Sequence, residues 1–266
     1  MAYRRGGEGD PMVLVHGIGG SWRNWLPILP ALEARHDVLT VGLLGHHPNH
    51  PFASGVRPTV AALIDGVERE MDRGGFGTAH LVGNSLGGWI VLELAKRGRA
   101  VTVCALSPGG TYRDGELVAD LTAMRLAVEH RLVARALRPR AERLVRRAGV
   151  RRLLFSGTFT HPERIDAAEA WAMLDSFGGA SVFIALLRAM KRDGPLRDLD
   201  RVTVPTLIGW GTRDYVLPMR WFLPTLREQM PAAQIRELPG LGHVPMVDDP
   251  VLVADLVLDF TAHQSV

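Results

Sequence analysis

Short, solidly apolar runs alternate along this chain with stretches of helical period. That alternation limits the fold more than any other feature. Met12-Val13-Leu14-Val15-His16 is the first run, closed by Gly17, and Asp37-Val38-Leu39-Thr40-Val41 is the second. His80-Leu81-Val82, Val101 to Leu106 and Thr206 to Trp210 follow, with a weaker sixth at Gln234 to Leu238. Runs this short and this apolar read as strands. Between them, Thr59 to Met71 places Val60, Leu63, Ile64, Val67 and Met71 on one helical face, and Trp89 opens a second helical run to Ala95. Asp249-Pro250 starts a last helix to about Phe260, with Asp as N-cap and Pro in the first turn. Strands apolar on both sides must be covered on both sides. The expected class is therefore α/β, a mostly parallel central sheet flanked by helices.

From about Gly110 to Gly194 the rhythm breaks, and the stretch reads as helices without a buried strand. The expected organisation of the 266 residues is a core of 1–109 plus 195–266, with a helical insertion at 110–194. A 47% hydrophobic and 22% charged composition excludes disorder, collagen-like repeats and a disulfide-stapled miniprotein. The formal charge of +3 is too mild for a nucleic-acid protein, so no nucleic-acid partner is expected. No apolar run approaches the roughly 18 residues of a membrane span. Met1 to Asp10 carries charge but no apolar secretory core, and the single Cys104 cannot form an internal disulfide. Both fit a cytoplasmic protein.

Chemistry concentrates first at Gly83-Asn84-Ser85-Leu86-Gly87-Gly88. It contains Gly-x-Ser-x-Gly, which about a tenth of random chains of this composition would carry by chance. Its position decides its meaning, because it directly follows the run His80-Leu81-Val82 and directly precedes a helix. That is the context of a nucleophile elbow. A sharp strand-to-helix turn pushes the serine hydroxyl clear of the sheet, and side chains two residues to either side would collide with neighbouring elements. A serine needs a base, and His243 in Gly242-His243-Val244 follows the sixth strand. The base needs a carboxylate, and Asp214 lies just past the fifth strand, at the edge where open α/β sheets place ligands. The glycine-rich loop His16-Gly17-Ile18-Gly19-Gly20 follows the first strong strand. It offers the N–H of Ile18, with that of Leu86, as an oxyanion hole.

Rival residues have plainer expectations. Asp248 and Asp249 both read as capping residues of the last helix, Asp10 before Pro11 as a turn, and Cys104 as core. Asp200 precedes the fifth strand, at the wrong edge of the sheet. His16 is expected to anchor its loop. His46-His47-Pro48-Asn49-His50 is expected to be an exposed loop rather than a metal site. The arginines Arg131, Arg135, Arg138, Arg140, Arg143, Arg146, Arg147, Arg151 and Arg152 face only Glu142, and are expected to form a solvated helix face. The alternative is attraction of an anionic substrate or membrane surface. Phe155, Phe159, Trp171, Met173, Leu174, Phe177, Phe183 and Leu187 are expected to be mostly core of the insertion, with a few lining an acyl pocket.

Taken in order, the loop at His16, the elbow at Ser85, Gly211-Thr212-Arg213-Asp214 and Gly242-His243 make the chain resemble α/β-hydrolase-fold enzymes with a helical cap. The resemblance implies Ser85 as nucleophile, His243 as base, Asp214 as its partner, and Ile18 with Leu86 as oxyanion donors. It implies a serine hydrolase acting on a carboxylic ester or thioester of a small to medium apolar molecule, with no cofactor and no metal. A homodimer is compatible with it. Carbon–carbon bond hydrolysis of a ring-cleavage dienoate is the nearest alternative, since the elbow resembles that subfamily, although Val244 stands where those enzymes tend to carry Trp. A biosynthetic acyltransferase or cyclase would keep the same residues, as would a ligand-binding module on the same fold. Dehalogenases and epoxide hydrolases of this fold use an aspartate nucleophile, which Ser85 replaces. Only about eleven residues precede the first strong strand, so the family's leading antiparallel hairpin is expected to be shortened or missing.

Overall fold

Residues 3–48 and 51–262 are described by a computed structural model of the chain. Seven strands form one sheet: β1 (Tyr3–Gly6), β2 (Asp10–Val15), β3 (His36–Val41), β4 (Ala79–Asn84), β5 (Ala100–Leu106), β6 (Thr206–Gly211) and β7 (Gln234–Leu238). Their spatial order is β1-β3-β2-β4-β5-β6-β7, and every pairing is parallel except β1 with β3. The α/β sheet expected from the sequence is therefore present, with one element unforeseen. The leading hairpin is reduced to a single edge strand, β1, which skips β2 and pairs with β3. Asp10, expected in a turn, is the first residue of β2.

Alternation along the strands sorts two cores. Met12 and Leu14 of β2 pack on one face with Val82, Cys104 and Leu207, under α1 (Leu29–Glu33) and α11 (Pro250–Thr261), which follows the single-turn α10 (Pro245–Asp248). Val13 and Val15 point to the other face with Leu81, Val103 and Ile208. That face is covered by α2 (Val60–Arg73), α3 (Leu86–Lys96) and α9 (Met219–Gln229). Met12 to Val15 are all 0% exposed. Burial of each such side chain contributes about 1.5–3 kcal/mol, which is why the run carries no polar residue. Cys104 sits in this interior, and burial pushes its thiol up to about 12, so it is inert at neutral pH. Capping follows the side chains: Thr59 Oγ1 accepts from Ala62 N at the start of α2, and Asp249 Oδ1 from Leu252 N at the start of α11.

Between β5 and β6 lie α4 (Leu117–Leu132), α5 (Ala141–Leu144), α6 (Ala148–Phe155), α7 (Ala167–Gly179) and α8 (Phe183–Asp193). None of the described residues between β5 and β6 forms a strand. The arginine-rich part is not uniformly a solvated face. Arg151 is buried, donating to the carbonyls of Val145, Arg146 and Glu163, and Arg138 is paired with Asp175 at 2.7 Å. Asp200 belongs to a short turn of helix before β6. Among the described residues no single helix is long and apolar enough to cross a membrane.

Candidate active site

The turn from β4 into α3 is built from backbone contact. Ser85 holds φ 56° and ψ −117°, a conformation that costs a non-glycine residue about 1–3 kcal/mol. Its N–H donates to the Leu106 carbonyl at 2.9 Å, and its own carbonyl accepts from Trp89 N and Gly109 N. A methyl group at Gly83 would lie 2.2 Å from the Gly87 carbonyl oxygen, and one at Gly87 would lie 2.0 Å from that of Val15. Glycine is thus required at both places by neighbouring backbone, which no rotamer change can relieve.

The loops after β6 and β7 bring Asp214 and His243 together. His243 Nδ1 and Asp214 Oδ2 are 2.8 Å apart, and both side chains are buried. The other carboxylate oxygen, Oδ1, accepts from Val216 N at 2.9 Å and Leu217 N at 2.7 Å. With Asp214 accepting, the imidazole carries its proton on Nδ1 and leaves Nε2 as a lone pair. Ser85 and His243 line the same cavity but are not hydrogen-bonded to each other among the described contacts. Reactive-group contacts are often open before a substrate is seated.

The loop after β2 closes the third side. Leu43 N donates to His16 Nε2 at 3.1 Å, which puts the ring proton on Nδ1, from where it donates to the Gly17 carbonyl at 2.8 Å. Burial, with His46 close by, lowers His16 to about 3, so the ring is a neutral strut. Its role as loop anchor is the expected one. Ile18 and Leu86 line the cavity beside Ser85, and neither backbone N–H donates to another described residue. Two such donors beside a serine are suited to receive a negatively charged oxygen. His46 departs from expectation: it is fully buried, packed edge-on against His16 at 5.3 Å, rather than exposed. Its Nδ1 donates to the Leu44 carbonyl, and burial lowers it to about 4. His47 is half-exposed and pairs with Asp175 of α7 at 2.9 Å, while Asn49 and His50 lie outside the described residues. Among the described residues no cluster of three metal-ligating side chains occurs.

The cavity holds about 670 Å³. Six of the eight apolar residues singled out in the insertion wall it: Phe155, Phe159, Met173, Leu174, Phe177 and Leu187. Trp171 and Phe183 pack behind them. The cations at its wall are Arg125 and Lys191, which pair with Glu129 and Asp120. The cavity suits an apolar group with a carbonyl placed at Ser85.

Two side chains at the site had no such part in the sequence reading. Asn84, between Gly83 and the serine, donates through Nδ2 to the carbonyls of Leu106 and His243, at 3.1 and 2.9 Å. It ties the elbow to the histidine loop. Asp248 is not a helix cap: its Oδ2 accepts from Gly242 N at 2.7 Å and its Oδ1 from Thr160 N at 2.8 Å. His243 N also donates to the Thr158 carbonyl at 2.9 Å. The histidine loop is therefore fastened directly to the helical stretch above it. Two adjacent acids before Pro250 were the available clue, since a helix start has room for one N-cap.

Comparison with known proteins gives the family and the fold. The model of the alpha/beta hydrolase family matches residues 12–256. An epoxide hydrolase, EphH, of Mycobacterium tuberculosis is 34% identical over 209 residues, covering 75% of this chain and 94% of the relative. Among solved structures, an esterase from Thermogutta terrifontis superposes with a TM-score of 0.76 at 20% identity, covering 98% of this chain and 93% of the other. A meta-cleavage product hydrolase from Pseudomonas fluorescens gives 0.73 at 22% identity, covering 98% and 93%. With the order of strands, the elbow and the family match in agreement, the chain belongs to the alpha/beta hydrolase family.

Proposed function

We propose that this protein is a serine hydrolase that cleaves a carboxylic ester or thioester of a small to medium apolar substrate, under a helical cap formed by residues 110–194. The observation that carries the reading is the buried 2.8 Å contact between Asp214 and His243, opening on the same cavity as the strained Ser85. With substrate seated, His243 Nε2 takes the Ser85 proton and Oγ adds to the carbonyl carbon. The carbonyl oxygen becomes an anion held by the N–H groups of Ile18 and Leu86. His243 then returns the proton to the leaving alcohol or thiol, giving an acyl-enzyme. Water, deprotonated by the same nitrogen, releases the acid and restores Ser85.

The epoxide hydrolase relative raises a different reaction. Opening an epoxide with an alkoxide would leave an ether on the enzyme, which water cannot cleave by acyl chemistry. A carboxylate nucleophile would leave a hydrolysable ester, but the elbow position here is Ser85. Dienoate hydrolysis needs a place for a carboxylate, and the cations at the cavity wall, Arg125 and Lys191, already face Glu129 and Asp120.

The test is turnover of p-nitrophenyl esters by the parent and Ser85→Ala, with a fluorophosphonate probe read by mass spectrometry. We expect the variant to lose about 10⁴-fold or more in kcat and the adduct to map to Ser85. Equal rates would remove Ser85 from the chemistry. Absence of both turnover and adduct would favour a ligand-binding role.

A further inference from the structure

We propose that the outward face of α4, with the arginines that follow it, docks onto an anionic phospholipid surface. Leu117, Leu121, Met124, Val128 and Leu132 are between 49% and 67% exposed. Their spacing of four, three, four and four residues places them within a stripe about 100° wide. The other side of α4 is apolar as well, with Ala123, Leu126 and the following Val133 facing the cavity. A helix in a globular protein needs one apolar face, so the outward one calls for its own partner.

Charge identifies that partner. Arg131 borders the stripe one residue before Leu132, and Arg135 follows in the next turn. Both are exposed, as are Arg140, Arg143 and Arg147, and none of the five has an ion pair among the described contacts. Residues 131–152 hold nine arginines against Glu142, a local charge of +8 in a chain of net +3. A two-fold dimer whose axis passed near Arg131 and Arg135 would set those arginines against their own copies, and a dimer through the middle of α4 is an outcome of the test below. A bilayer instead takes the leucines at its acyl boundary while lipid phosphates meet the guanidinium groups. Leu132, and Leu153 at 77% exposure, also line the cavity, so the docked face includes the lip through which an acyl chain would enter. The contact is a seat on the surface rather than a span, and it stands independently of the reaction assigned to Ser85.

Vesicle co-sedimentation tests it, using phosphatidylcholine alone and phosphatidylcholine mixed equally with phosphatidylglycerol, at low and high salt. We expect about tenfold or greater preference for the anionic vesicles, weakened by salt. Met124→Glu with Val128→Glu, and separately Arg131→Glu with Arg135→Glu, should each lower that binding about tenfold or more. Neither pair lines the cavity, and an unchanged thermal midpoint will show that both variants fold. Equal binding to the two vesicle types, or undiminished binding by both variants, would overturn the proposal. So would a dimer by light scattering that Met124→Glu with Val128→Glu converts to monomer, because the face would then belong to a second copy.

Discussion

A methyl group added at Gly87, on the sheet rim, would sit 2.0 Å from the Val15 carbonyl oxygen; added at Gly149 in α6, or at Gly157 in the turn after it, it would meet nothing within 4 Å. The rim is made of backbone against backbone. Its parts are the elbow, the His16 strut and the two N–H groups that Asp214 Oδ1 satisfies. The helical stretch is made of side chains around a cavity, and many of its glycines and surface apolar residues touch little. The contrast shows where this chain holds geometry fixed and where it leaves room for a substrate to decide the fit.

The sharpest way to break that contrast is at the rim's electrostatics. In Asp214→Asn, the amide oxygen would remain on Val216 N and Leu217 N, turning NH₂ toward His243 Nδ1. The ring must then carry its proton on Nε2 and cannot accept from Ser85. We expect kcat to fall about 10⁴-fold with the structure unchanged. A loss of less than tenfold would mean that orientation of the imidazole is not what Asp214 supplies.

Acid should test the buried histidines next, His16 and His46 at the rim and His80 at the opposite edge of the sheet. Burial lowers His16 to about 3, and His46 and His80 to about 4, against about 6.5 when unfolded. Below pH 6.5 the unfolded chain therefore binds protons that the folded chain refuses. Stability is full above that pH and is lost as pH falls toward 4, by up to about 1.4 kcal/mol per pH unit for each histidine. Urea unfolding at pH 7 and pH 5 should differ by a few kcal/mol, and a flat profile would contradict the neutral struts.

Glycine substitution measures the contrast directly. Gly87→Ala should cost about 3 kcal/mol, since the obstructing atoms are carbonyls and cannot rotate away. Gly157→Ala should stay within about 0.5 kcal/mol. Similar urea midpoints for the two would erase the distinction between rim and helices.

These differences also explain what the sequence disclosed. Steric demands of backbone on backbone leave local marks, so Gly83 and Gly87 pointed to the elbow before any fold was known. β7, exposed along most of its length, was only weakly marked, while β2 to β6 were legible because both faces of each are largely buried. β1 was not: Tyr3-Arg4-Arg5-Gly6 has no apolar alternation, and ion pairs from Arg4 to Glu33 and from Arg5 to Asp37 help fasten it to the sheet. The cavity wall was only partly legible, because α4 is apolar on both its inner and outer sides and periodicity cannot tell one from the other. His46 read as an exposed loop residue because nothing local announces that it packs against His16, thirty positions earlier.

The smallest expected effect lies where the two regions join. Asp248 accepts from Gly242 N on the rim and from Thr160 N in the helical stretch, so one carboxylate holds both sides of the seam beside His243. In Asp248→Asn one acceptor becomes a donor facing an N–H, and the lost bond should cost about 1–2 kcal/mol in urea unfolding. Because His243 N also donates to Thr158, the histidine loop would still be tethered, though less firmly. We expect kcat on p-nitrophenyl esters to fall about tenfold with KM little changed, since misplacing a base costs the transition state more than the bound substrate. The pH profile should keep its shape, because Asp214 still sets the tautomer. A change in KM alone would assign Asp248 to cavity shape. A stability loss with kcat intact would show that the seam holds the helices down without steering the histidine, and that the rim is as self-sufficient as its backbone packing suggests.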